Sequence, residues 1–359
     1  MTRNESVLSR PQEFCREHGL DVPVLMAPMA GACPPALAAA VANAGGVGGC
    51  GALLMPPEQI ASWVAAFGKL SSGLVQLNLW IPDPPPRRDP ASEDALRRFL
   101  STWGPEASAD AGNATLPDFE AQCEALLEAH PAFISSVMGL YPGMFVERMH
   151  ARGIKWLATA TTVAEARLAA QAGADVIVAQ GMEAGGHRGS FDAHAAERML
   201  VGLFALLPAV VDAVSIPVVA AGGIADGRSA AAAFVLGASA VEIGTGLLRA
   251  PEAGIAKPWA DAIGRTAPED TALTRAFSGR AGRCIVNDYA AAASAPSAPA
   301  PAPYPVQRAL TRQMREQALR NGDFGRLQAW AGQAAQRSRA APATEIVRGI
   351  WEDVRRLLG

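Results

Sequence analysis

No two of the five cysteines (Cys15, Cys33, Cys50, Cys123, Cys284) are close enough to make a CxxC pair, and their number is odd. That argues against a disulfide framework or a zinc site and for a reducing compartment. Charge of one sign is also lacking: 31 basic and 34 acidic residues leave a formal net charge of −3. No broad basic surface follows, so nucleic acid is not an expected partner. The longest apolar run, Met199–Val211, is interrupted by Pro208 and is too short to span a bilayer. The first fourteen residues lack the apolar centre of a secretory signal. Together these absences predict a soluble cytoplasmic protein without a metal. No dinucleotide fingerprint opens the chain either, because Gly45-Gly46-Val47-Gly48-Gly49 does not follow a strand as that motif requires. This weakens the doubly wound alternative.

What is present is a repeat of short apolar strands and Ala-rich helices. Half of the 359 residues are hydrophobic. After a polar lead-in over 1–20, strands are predicted at Val24–Ala27, Val47–Cys50, Leu74–Leu77, Ala132–Met138, Ile154–Ala158, Asp175–Ala179, Val218–Ala221 and Ala240–Ile243. Helices are predicted between them at Pro34–Ala44, Pro56–Phe67, Asp118–Ala129, Pro142–Ala151, Thr162–Ala172, Ala195–Val214 and Ala230–Leu236. Pro208 is expected to kink or split the sixth of these. Eight strand-then-helix units at this spacing predict an α/β fold, a (β/α)8 TIM barrel.

Two regions break the rhythm. Residues 81–115 are Pro-rich and charged, with a short helix at Glu93–Thr102, and read as an insertion over the active-site end. After Pro251 the pattern loosens. Thr274–Asp288 reads as basic and turn-like, and 290–305 as an extended, mobile Ala/Pro linker. Helices follow at Gln307–Gly322, Arg326–Ser338 and Thr344–Leu358. The expected organisation is a barrel of 1–80 and 116–262. A small, mostly helical cap, built from 81–115 and 263–359, closes its mouth.

The chemistry concentrates in ADVIVAQGMEAGGHRGSFD, residues 174–192. A buried strand ends at Gln180-Gly181, and a loop with Gly185, Gly186 and Gly189 surrounds His187. Glycines permit close backbone approach to a flat ligand. A histidine at the C-terminal end of a barrel strand stands where such folds place chemistry, and it can exchange a proton near neutrality. Glu183 and Arg188 read as surface charges, with Glu183 orienting His187 as the lesser option. Two further Gly-rich turns, Gly222-Gly223-Ile224 and Gly244-Thr245-Gly246, follow the seventh and eighth strands. A barrel binds phosphate there through backbone N–H groups, a Thr hydroxyl and a helix N-terminus.

QGMEAGGHRG at 180–189 resembles the flavin-site motif of the nitronate monooxygenase family. PVLMAPMAG (23–31), VAAGGIADGR (219–228) and EIGTGLLRAPEA (242–253) agree in the same order. The resemblance covers roughly 20–290. It implies non-covalent FMN, with Gly222, Gly223, Glu242, Ile243, Gly244 and Thr245 on its phosphate side. Gln180, Gly181 and Gly185 would then lie toward the ring, with Met29 and Asn78 opposite. Relatives often carry Gln at the position of Glu242, and many carry His-Phe where this chain has Val137-Met138.

By that resemblance His187 removes the proton alpha to a nitro group or steadies an alkyl nitronate. Molecular oxygen reoxidises the flavin, and the products are a carbonyl compound and nitrite. The resemblance leaves a second enzyme open, an NAD(P)H-dependent FMN reductase of enones, quinones or enoyl thioesters. A non-enzymatic FMN-binding accessory protein is a third reading, against which the retained His187 loop counts. A homodimer is left open.

Overall fold

The computed structural model of the protein describes residues 6–113 and 115–359. The first five residues of the lead-in, and Ala114 within the insertion, lie outside the described residues.

Eight parallel strands close into a barrel: β1 (Val24–Met26), β2 (Val47–Gly51), β3 (Leu74–Trp80), β4 (Phe133–Val137), β5 (Lys155–Ala160), β6 (Val176–Gln180), β8 (Val218–Ala221) and β9 (Ala240–Ile243). Ring closure is made by β9 against β1, with Leu25 opposite Glu242. Between β6 and β8 lies β7 (Gly186–His187), two residues that belong to a different sheet. All eight predicted strands are present, with the expected parallel order.

Burial on both faces explains the unbroken apolar runs. One face packs on the surrounding helices. The other fills the barrel axis with Leu25, Val47, Phe133, Leu157, Val176, Val178, Val219 and Ala240. The N-terminal end is plugged by α1 (Ser9–His18), whose Phe14 is 1% exposed and stacks edge-on against His18, itself edge-on to Phe133.

The barrel helices are α2 (Pro35–Asn43), α3 (Pro57–Gly68), α5 (Phe119–Ala129), α6 (Gly143–His150), α7 (Val163–Gln171), α8 (Leu203–Val211) and α9 (Gly227–Val235). Two of them begin with Pro at N1, where the missing N–H costs nothing. The sixth helix is shorter than predicted. It starts at Leu203 and runs through Pro208 without splitting.

The insertion contributes α4 (Pro90–Leu100), whose Leu96 and Leu100 share a core with Phe277, Tyr289, Leu310 and Met314. Here the C-terminal region departs from expectation. Leading into and within the turn-like stretch, β10 (Thr271–Thr274) and β11 (Gly282–Ile285) form a hairpin that β7 extends to three antiparallel strands. The Ala/Pro segment is packed, not mobile: it opens in α11 (Asp288–Ala293), Ala302 and Tyr304 are buried, and Ala302 N–H donates to Gln307 Oε1. Ala and Pro lose almost no side-chain entropy on ordering, so a few such contacts suffice. The predicted helix over 307–322 divides at Thr311 into α12 (Val306–Leu310) and α13 (Arg312–Asn321).

Residues 326–338 do not form the predicted helix; after Arg326 only a 3₁₀ turn at Ala335–Arg337 is helical. They run as an irregular strip with a single bridge from Trp330 to Cys284, because Gly332 packs directly on the backbone of Glu183–Gly185. The last helix, α14 (Ala343–Leu358), is not part of the cap. Its Ile346, Val347, Ile350 and Val354 are buried in the main core against α9 and α2, in the remaining position of the barrel's outer ring. Among the described residues no helix is long and apolar enough to cross a membrane, and all five cysteines are free and buried.

Candidate active site

A cavity of about 510 Å³ opens at the C-terminal ends of the barrel strands, roofed by the cap. That volume falls within the roughly 300–1,000 Å³ of ligand-sized clefts. Its lining combines Met29, Asn78, Gln180, Gly185, His187, Gly222, Gly223, Glu242, Gly244 and Thr245, ten of the twelve residues singled out from the sequence. Gly181 and Ile243 do not line it. Gly181 is wedged between Glu183 and Leu203. Ile243 follows inward-pointing Glu242 along β9, so its side chain turns outward into the helix layer.

The His187 loop is held by its own polar groups. Gln180 spends its amide on the loop: Nε2 donates to His187 O at 3.2 Å, and Gly189 N–H donates to Oε1 at 2.9 Å. Arg188 corrects the surface reading, being 2% exposed. Its Nη1 donates to Gly181 O at 2.7 Å and Nη2 to Gln180 O at 3.3 Å, and burial pulls its pKa down to about 10. Glu183 does not orient His187. Its carboxylate accepts Leu203 N–H at 2.9 and 3.0 Å, at the first turn of α8.

His187 itself sits on β7, paired with Gly282 of β11. Its ring lies edge-on to Trp80 and Trp330, with centroids 4.7 and 4.9 Å away. Nε2 is 2.7 Å from Ser278 Oγ. Burial, followed by the cations Arg308 and Arg280, lowers its pKa to about 3. The imidazole is therefore neutral at physiological pH. Arg280 pairs with Asp83 at 3.3 Å. Arg308 lines the cavity, and its guanidinium has no hydrogen-bond or ion-pair partner among the described residues. Tyr304 completes this wall, 5.3 Å from Trp80.

Opposite stands a glycine cradle. Gly222 and Gly223 have φ of 100° and 72°, conformations that other residues rarely adopt. Their N–H groups have no backbone partner among the described residues. A Cβ on Gly222 would come within 3.0 Å of Ala184 N, and one on Gly244 within 3.3 Å of Ala27 Cβ. Thr245 Oγ1 accepts Gly332 N–H at 3.0 Å, which leaves its proton free to donate. At the N-terminus of α9, Asp226 caps the helix by accepting Ser229 N–H at 2.9 Å. At the end of β4, Met138 lines the cavity with φ of 70° and donates its N–H to Gly189 O.

Trp80, Ser278, Tyr304, Arg308 and Trp330 were not singled out from the sequence. Trp80 alone carried a local signal. It lies two residues beyond Asn78 on one strand face, visible once β3 is extended past Leu77.

Residues 14–353 match the family model described as nitronate monooxygenase. The chain belongs to the nitronate monooxygenase family. It is 37% identical over 348 residues to a nitronate monooxygenase of Pseudomonas aeruginosa, covering 95% of this chain and 99% of that one. Among solved structures, nitroalkane oxidase from Streptomyces ansochromogenes superposes with a TM-score of 0.85 at 33% identity, covering 95% of this chain and 98% of that one. FabK from Thermotoga maritima shares the fold, with a TM-score of 0.72 at 24% identity, covering 96% of each chain. The protein is accordingly an oxidoreductase of the nitronate-oxidising type.

Proposed function

We propose that the protein oxidises alkyl nitronates with molecular oxygen, using non-covalently bound FMN, to a carbonyl compound and nitrite. The observation that carries this reading is the neutral His187 enclosed by Trp80 and Trp330, with unpaired Arg308 nearby. A group with a pKa near 3 is a poor base toward a neutral nitroalkane. It is well suited to an anion that has already lost its proton, because a nearby negative charge favours the imidazolium form. The nitronate is thus the expected substrate rather than its parent nitroalkane.

The residues present fit FMN. Unpaired N–H groups at Gly222-Gly223 and the Thr245 hydroxyl suit a phosphate, and a side chain at Gly222 would crowd the neighbouring backbone. Met29, Asn78, Gln180 and Gly185 would border the ring. A bound flavin supplies the electron-transfer chemistry; the protein supplies binding, orientation and charge. In this reading Arg308 draws the anion in, Trp80 and Trp330 exclude water, and His187 steadies the negative charge. The change at the substrate replaces its C=N bond with C=O and releases nitrite.

The test is anaerobic mixing of purified, flavin-loaded protein with propionate 3-nitronate, and separately with NADH or NADPH, while following flavin absorbance. Bleaching by the nitronate, then nitrite release in air, is the expected result. Bleaching only by the nicotinamide would replace this reading with the reductase.

A further inference from the structure

Glu242 is a carboxyl group turned into an apolar wall. It is 8% exposed, and its ladder neighbours on β1 and β8 are Leu25 and Ala221. Its one side-chain partner is Gln76, whose Nε2 donates to Oε1 at 2.8 Å. The same Nε2 donates to Met26 O at 2.8 Å, so both amide hydrogens are committed and the amide cannot flip without setting two oxygens together. Gln76 Oε1 is left buried without a partner. Oε2 of Glu242 likewise has no protein partner among the described residues, and Glu242, unlike Gln76, borders the cavity.

No titratable or charged side chain faces this carboxyl from β1, β3 or β8, whose sequences are VLM, LVQLNLW and VVAA. On the adjoining loops Asp226 is taken up by the α9 cap and Arg249 by the carbonyl of Ser338. Burial without a countercharge favours the protonated acid and raises the pKa to about 7.

We infer that Glu242 is a protonated carboxyl whose Oε2–H donates a hydrogen bond to an acceptor atom of bound FMN, so that holding the cofactor requires holding this proton. The inference rests on the FMN reading above. Binding and protonation are linked: what the proton does for FMN affinity, FMN does for the proton. Above the pKa of the free protein, affinity falls by about tenfold per pH unit until the pKa of the complex is reached. Replacement by Gln keeps a donor at every pH and removes the dependence.

The experiment measures FMN released from purified holoprotein by ultrafiltration between pH 6 and 9, for wild type and Glu242→Gln. The second ionisation of the phosphate, with a pKa of about 6, is common to both and cancels in the comparison. The expected result is a roughly fiftyfold weaker hold at pH 9 than at pH 7 in wild type, and a flat profile in Glu242→Gln. Gln76→Leu, which removes the one contact favouring the carboxylate, is expected to move the wild-type break upward in pH; it also covers the case in which Glu242→Gln does not fold. An infrared difference spectrum on FMN release should show loss of a protonated-carboxyl band. Parallel profiles in wild type and Glu242→Gln overturn the role of Glu242 alone. Absence of FMN binding in all three proteins at every pH overturns the cofactor reading with it.

Discussion

Ser278 Oγ stands 2.7 Å from His187 Nε2 and 3.1 Å from Arg280 O, two acceptors for the single proton of one hydroxyl. If the proton goes to the Arg280 carbonyl, Nε2–H donates to Ser278 and Nδ1 carries the lone pair. If it goes to Nε2, the tautomer is reversed. Ser278 is thus a positioning residue that acts through His187. Ser278→Ala is expected to lower kcat/KM about tenfold, in line with one buried hydrogen bond, with unchanged flavin content. Ser278→Thr, keeping the hydroxyl, should restore most of the loss. A full loss in the Thr variant would point to packing rather than to the hydroxyl.

Replacing His187 by Asn is expected to preserve the yellow flavin spectrum and to lower turnover by roughly 10²-fold, the lower end of what a positioned proton-exchanging group provides. Steady-state nitrite production and the visible spectrum test it together. Undiminished turnover would remove the histidine from the reaction.

Arg308→Met is expected to act on binding. Loss of one charge-assisted contact to an anionic substrate should raise KM about tenfold, with a smaller change in kcat. The effect should be larger for a nitronate that bears an additional carboxylate than for ethylnitronate. Equal effects on both would show that Arg308 does not meet the substrate's charge.

Gly223→Leu is expected to release FMN, because φ of 72° and the Glu183 Cβ within 3.3 Å of an added Cβ leave no relaxed place for a side chain. The flavin-to-protein absorbance ratio reports it. A fully loaded variant would put the phosphate elsewhere.

The buried imidazole also predicts a pH dependence of stability. Its pKa in the fold, about 3, lies below the unfolded value of about 6.5. Between these values the unfolded chain binds the extra proton. The stability associated with neutral His187 is therefore complete above 6.5 and declines as pH falls from 6.5 toward 3. Urea midpoints at pH 7 and pH 5 should differ more in wild type than in His187→Asn. The surface pair of His150 and Asp175 is common to both.

The barrel was legible in the sequence because its strands are apolar on both faces and its turns are marked by glycine. Gly222, Gly223 and Gly244 could be placed from chain order alone. The active-site wall was legible only in part. Ser278, Arg308 and Trp330 reach His187 across 91 to 143 residues of chain, and no local pattern records that packing. Residues 326–338 show the reverse failure. Ala, Gln and Arg favour a helix there, but Gly332 is drawn onto the Glu183–Gly185 backbone, where a helix would not fit. Arg188 was misread because charge is usually solvated; here two carbonyls take the place of water.

The position of α14 has a consequence for biosynthesis. The outer ring is completed by α14, with Thr344 bonded to Ala40 O and Arg348 to Asn43 O. Apart from Trp80, the wall around His187 comes from 278–330. A ribosome that has just released the eighth barrel strand has therefore made the cradle but neither the closed ring nor the pocket. The wall around His187 can therefore form only once residue 330 has emerged, and the ring can close only once α14 has followed.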